Sequence, residues 1–170
     1  KIPAFTIKGT AEAKGLSYGA DFTLKSDAGD LAAKGHVALT PENYMADIRT
    51  TGLDVARFVP AAGIGRVTAT VNARGHGFNP LSGHAVTDAT VDISSVEYNH
   101  NELRDIHVDA TLSNAGDLML QASSLNPGLD FDMSGSGTIH PDDYTFDINA
   151  TLRDVNLQRL GLSDSICYGS

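Results

Sequence analysis

The residues of this 170-residue chain that could do chemistry are six histidines and a scatter of carboxylates. The histidines are His36, His76, His84, His100, His107 and His140. The tightest constellation is His100, Glu102, Asp105 and His107, all side chains of metal-ligating type. A transition metal needs three or four such donors converging on one pocket. Period-two alternation in the strand that follows puts Asp105 and His107 on an outward polar face without a closed pocket, so no metal site is expected. Asp142 and Asp143 could act as the paired carboxylates of glycoside hydrolysis. The matching turn one hundred residues earlier carries Glu42 and Asn43 instead, and turn chemistry accounts for all four. Gly75-His76-Gly77 has a phosphate loop's composition, but no helix follows it to supply N-terminal amides. No Ser/His/Asp set surrounds a nucleophile turn. The sequence predicts no enzyme, no metal and no cofactor.

Composition narrows the partners. The formal net charge is −9, which opposes a nucleic-acid backbone and offers no polybasic patch for a membrane surface. Charged residues make up 19% of the chain and aromatics 6%, with no Trp and 17 Gly, a composition suited to short strands joined by many turns. The single cysteine, Cys167, rules out an internal disulfide and is consistent with an oxidising compartment. No signal peptide or long apolar run is present, and the chain reads as a piece of something longer.

The elements that position these residues are strands, and two stretches repeat. Gly35 to Val55 (GHVALTPENYMADIRTTGLDV) is answered by Gly135 to Val155 (GSGTIHPDDYTFDINATLRDV), with Gly, Pro, Tyr, Asp, Ile, Thr, Asp and Val identical in register. Each reads as a β-hairpin closed by a turn at Pro41 or Pro141, where proline presets the backbone. Upstream, ADFTLKSDAGDL (20–31) is echoed by VDATLSNAGDL (108–118), at a smaller offset. The copies therefore differ by one strand or a long bulge around Asn126-Pro127-Gly128. Downstream, Leu53, Val55, Phe58 and Pro60 are echoed by Val155, Leu157, Leu160 and Leu162. An internal period of this length is the signature of a repeat architecture. Repeat 1 is placed at about 16–62, connecting strands at about 63–103 and repeat 2 at about 104–164, all within one unit spanning 1–170.

Alternation of apolar and polar residues runs through nearly the whole chain. It predicts an all-β fold of roughly ten or eleven strands, about 7 to 11 residues each, joined by hairpin-length turns with one helical turn near Leu53 to Pro60. One apolar and one polar face per strand allow a sandwich, a closed barrel, or one long sheet folded about its apolar side. Short connections favour a sequential meander. The apolar phase is rich in Ala and Gly, which leaves space beside its larger members.

These residues resemble a known family. The run ARGHGFNPLSG after an alternating strand, the repeated Y-x-x-D-I strands, and the Leu53/Val55/Phe58 and Val155/Leu157/Leu160 segments are similar to the periplasmic repeat region of TamB, an AsmA-like family. The resemblance covers essentially the whole chain and rests on loose motifs. It implies an elongated antiparallel meander curled into a U-shaped groove, a β-taco. It also implies a protein of the Gram-negative periplasm, anchored in the inner membrane and working with an Omp85-type outer-membrane barrel. The implied role is phospholipid transport between membranes, outer-membrane protein assembly, or both. The groove would hold phospholipid acyl chains or nascent outer-membrane protein strands. The expected lining is Phe22, Leu24, Leu39, Ile48, Val71, Ile93, Leu112, Phe131, Ile139, Phe146 and Ile148. Each methylene shielded there is worth about 0.8 kcal/mol, so ten of them offset roughly 8 kcal/mol of exposure to water. Two alternatives remain at this stage: a secreted β-sandwich binding or adhesin domain, and a scaffold domain of a secreted enzyme.

Overall fold

Nearly every residue of the computed structural model that lies between turns belongs to a strand, as the alternation requires; the structure describes residues 4–59, 63–98 and 101–156. The strands are β1 (Phe5–Lys14), β2 (Ser17–Ser26), β3 (Gly29–Leu39), β4 (Glu42–Asp54), β5 (Ile64–His76), β6 (Val86–Tyr98), β7 (Asn101–Leu112), β8 (Asp117–Asn126), β9 (Leu129–Ile139) and β10 (Tyr144–Val155). They form one ten-stranded antiparallel sheet in strict sequence order, an open meander that does not close into a barrel. The only helical residues among those described are two short 3-10 turns, Val55–Arg57 after β4 and Pro80–Ser82 between β5 and β6.

The strands are 10 to 13 residues long, longer than alternation alone suggests. Their tips carry Gly, Thr and charged residues that blur the pattern, while the backbone ladder continues through bulges. β4 shows this: its pairing with β5 shifts between Thr50 and Leu53, where Gly52 takes φ 56°. A bulge of this kind adds one unpaired residue and returns Leu53 to the face it would otherwise leave. Side chains fill the vacated rungs: the Thr50 hydroxyl accepts from the Ala69 amide at 3.0 Å, and the Thr68 hydroxyl from the Gly52 amide at 3.0 Å.

The largest such repair is at Asn126. β7 carries Asp105 at φ 51°, and its ladder with β8 ends at Ile106 and Ser124. Beyond that point the Asn126 carboxamide accepts from the Arg104 amide at 2.6 Å and donates to the Arg104 carbonyl, standing in for a strand's own backbone. Its amide nitrogen also donates to the Ser124 hydroxyl at 2.7 Å. Both residues are nearly inaccessible, so these bonds satisfy polar groups that water cannot reach.

The two similar stretches occupy hairpins β3–β4 and β9–β10, with different registers. Leu39 pairs with Glu42 in the first and Ile139 with Tyr144 in the second, a slip of two residues that leaves every side chain on its face. The upstream echoes occupy β2–β3 and β7–β8, where Leu24 pairs with Leu31 and Leu112 with Leu118. Between the second pair of echoes lies one additional strand, entered through the turn at Pro127-Gly128. Of the downstream echoes, Pro60, Leu157, Leu160 and Leu162 lie outside the described residues.

One layer is all the sheet provides. The buried hydrophobic residues are Ala28, Ala38, Ala85, Leu112 and Ala122, four of them alanines, so no second sheet packs against the first among the described residues. The sandwich alternative requires an interdigitated core between two sheets, and a single meander has none.

Candidate functional site

Residues directly opposite in an antiparallel ladder share a face of the sheet. Followed from strand to strand, the register yields rows that cross the whole sheet. The central row runs Gly9, Phe22, Ala33, Ile48, Val71, Val91, Val108, Ala122, Met133 and Ala150, one apolar residue from each strand. At about 4.8 Å per strand it is roughly 43 Å long. A second row contains Leu24, Ile93 and Phe131, a third contains Ile148, and a fourth contains Leu112 and Phe146. None of these four rows contains a charged side chain.

All eleven residues named from the sequence fall on this one face. Leu39 and Ile139 extend it by one position beyond the fourth row, in line with Val37 and Gly137. The register brings Phe22, Ile48 and Val71 together as neighbours, and Leu112 lies beside Leu118. It leaves Phe22 and Phe146 near opposite edges of the sheet.

The third row is made of small residues. Ala or Gly occupies it on eight of the ten strands, with Leu120 and Ile148 the exceptions. Larger side chains flank it: Phe22, Ile48 and Val71 on one side, Tyr18, Val37 and Tyr44 on the other. Rows on one face are about 6.7 Å apart, so the flanking rows stand roughly 13 Å apart across a floor of methyl groups and backbone. Three aromatic side chains sit opposite glycines of a neighbouring strand: Phe22 opposite Gly9, Tyr44 opposite Gly75 and Phe146 opposite Gly137. A methyl group at Gly75 would run into the Val86 carbonyl oxygen and the Tyr44 phenol, so the ring's position requires glycine. Phe78, from the β5–β6 connection, packs on Tyr44 at 6.2 Å between ring centroids.

This face is open to solvent. Ile7, Ile148 and Leu152 are 56%, 59% and 65% exposed, and most members of the central row are half-buried by their neighbours alone. A contiguous uncharged surface of this extent is uncommon on a protein without a partner for it.

The other face carries the charge. Two open depressions on it, of about 320 and 340 Å³, are lined mainly by polar side chains, among them Asp47, Arg74 and Asp88 in one and Gln121, Asp132 and Asn149 in the other. Arg153 bridges Asp130 at 2.6 Å and Asp132 at 2.5 Å. Those two hydrogen bonds, Asp130 first, raise the guanidinium further above its ordinary range.

His107 has different neighbours from those suggested by sequence proximity. Its Nδ1 lies 2.6 Å from Asp92 on β6 and its Nε2 2.6 Å from Asp109 on its own strand. These hydrogen bonds, to Asp92 and then Asp109, raise the imidazole above its usual range. The Thr90 hydroxyl donates to Asp109 at 2.7 Å, and that bond, followed by the one from His107, lowers the Asp109 carboxyl. The polar phase of β7 contained His107 and Asp109, but pairing them with Asp92 needed the β6–β7 register. His100 lies outside the described residues.

Among the described residues no group of three or more His, Cys, Asp or Glu could hold a metal ion. Nor is any described helix long and apolar enough to cross a membrane. No protein-family model matches the chain, and neither does any curated protein or solved structure.

Proposed function

We propose that the chain is a segment of a TamB-like, AsmA-like protein whose apolar face shelters hydrocarbon between two membranes. In this reading the meander curls about that face into a U-shaped groove, and the two similar hairpin units are repeats of a longer array. Phospholipid acyl chains lie along the small-residue row, across the strands. The parent protein is anchored in the inner membrane of a Gram-negative bacterium, spans the periplasm and meets an Omp85-type barrel at the outer membrane. The observation that carries the reading is the set of four uncharged rows crossing ten strands, with no second sheet packed over them among the described residues. A conduit needs continuous shelter and no catalysis, and a single-layer sheet in strict sequence order supplies a surface that can be lengthened strand by strand.

A specific feature also favours the role in outer-membrane protein assembly. β10 exposes its whole length from Tyr144 to Asp154, and a nascent strand could add to such an edge by backbone pairing.

Photo-crosslinking tests the lipid reading. A probe at Phe131 faces the uncharged rows and a probe at Ser134 the polar side. In the full-length protein in cells, lipid adducts are expected at 131 and scarce at 134. Equal lipid labelling at both, in stably produced protein, would sink the assignment.

A further inference from the structure

We propose that Asp92, His107 and Asp109 form a proton-operated clamp that ties β6 to β7 on the polar face, directly behind the uncharged rows. The geometry sets the protonation state. A neutral imidazole carries one N–H and one lone pair, so with carboxylate oxygens 2.6 Å from both nitrogens it would hold one lone pair against another. The imidazolium donates from both nitrogens and removes that conflict.

Charges facing the ring reinforce this form. From β6 come Asp92 and, further along, Asp88, which is engaged by Arg74 of β5. β7 supplies Asp109 and Asp105, while its Arg104 is paired with Glu102. β8 presents only Gln121 and Ser123, and β9 presents Asp132, already bound to Arg153. The surroundings are anionic, and Arg74, Arg104 and Arg153 each pair with a carboxylate of their own.

The clamp also sits at a mechanically special place. Its partners Asp92 and His107 are opposite one another, one step from the Ile93–Ile106 pair. Immediately beyond, β6 pairs irregularly with β5 near Ser94 and β7 adopts φ 51° at Asp105. Irregularities of this kind bend a sheet locally, so the clamp holds two strands together beside the one rung, Ser94–Asp105, that their ladder omits. The side chains before and after His107, Ile106 and Val108, belong to the uncharged rows. Loss of the proton therefore loosens the same two strands that present those rows.

The sign follows from the chemistry. The imidazole's proton is held more tightly in the folded sheet, so the tie is complete below the ordinary histidine range and is lost as pH rises through the folded value.

The test uses the 170-residue chain, with the His107 ring followed by nitrogen NMR and β6–β7 amide protection by hydrogen exchange. The expected results are two protonated ring nitrogens at neutral pH and a titration midpoint that drops by a tenfold change in proton affinity or more in Asp92→Asn and Asp109→Asn. Protection at Ile93 and Ile106 should fall severalfold as His107 deprotonates, and His107→Gln should abolish that pH dependence. A single-tautomer neutral ring at pH 7 overturns the proposal, as does a midpoint unmoved by either variant. A raised midpoint with protection indifferent to it overturns it equally, because the triad would then be only a surface pairing.

Discussion

The Tyr44 hydroxyl on β4 lies 2.6 Å from the Thr87 hydroxyl on β6, and the strand it crosses to get there presents Gly75. One side chain thus ties three strands together on the apolar face. The glycine makes room, the ring covers the gap, and the two part-buried hydroxyls bond each other. Tyr44→Phe should cost about 1 kcal/mol, the ordinary worth of one such bond. Gly75→Val should cost more, about 1–3 kcal/mol, because its methyl groups displace both the ring and the Val86 carbonyl. Urea unfolding of the two variants checks both the order and the size.

Asn126→Ala should be among the most damaging polar substitutions. It leaves the Arg104 amide and carbonyl without their partners in a part-buried position, at about 1–3 kcal/mol. Hydrogen exchange at Arg104 should accelerate in step with the loss of stability. An unchanged rate would mean that water replaces the carboxamide at no cost.

Charge placed on the two faces should separate folding from lipid handling. Phe131→Arg puts a cation into the uncharged rows and should abolish lipid crosslinking from a probe at Met133 in the adjoining row. Asp132→Arg is a poor control because Asp132 holds Arg153, so the substitution sets two cations against each other. Ser134→Arg, exposed on the polar face, should change stability by less than about 0.5 kcal/mol and leave outer-membrane integrity intact in the full-length protein.

Among the described residues neither outer strand has a partner on its outer side, and β1 is exposed along its entire length. Exposed edges of this length invite pairing between chains. Sedimentation velocity of the 170-residue chain over a wide concentration range should show self-association. A strict monomer at the highest concentration would show that the edges are capped.

The acid limb of the stability profile should also involve the His107 cluster. Asp109 is held below the usual carboxylate range by Thr90 and then His107, so its contribution is present above the ordinary Asp value and disappears as pH falls through the lowered one. Together with the opposite sign at His107, the triad should tie β6 to β7 best between these two limits. Asp109→Asn should flatten both limbs in a thermal-melting series against pH.

The faces of the sheet were legible because alternation depends only on the sign of each residue. Phe22, Ile48, Val71 and Ile148 could be assigned to one side with no knowledge of which strand neighbours which. Register was not legible. The hairpins at Pro41 and Pro141 look alike as text, yet one closes at Leu39–Glu42 and the other at Ile139–Tyr144, because loop length rather than sequence similarity fixes the pairing. Strand β8 was the hardest to delimit: Met119 and Leu125 sit on the polar side at 53% and 74% exposure and break the alternation. His107 was noticed beside residues close in sequence, Glu102 and Asp105 among them, whereas Asp92 is close in space. The additional strand has a further effect that only topology reveals. It reverses chain direction, so the Ala-Gly-Asp turn after β2 and its echo after β7 emerge from opposite rims of the sheet.

Strict sequence-order pairing also decides how the molecule comes apart. Each strand has extensive contacts only with the strands before and after it, so the sheet is a one-dimensional chain of nearest-neighbour couplings. Such a system melts inward from its ends like a zipper, and a weak coupling can split it into segments that open separately. Its thermal transition should therefore be broad and dependent on the probe used. Lengthening the array by a strand adds a coupling without altering those already present, so length can change while the local pairing stays as it is.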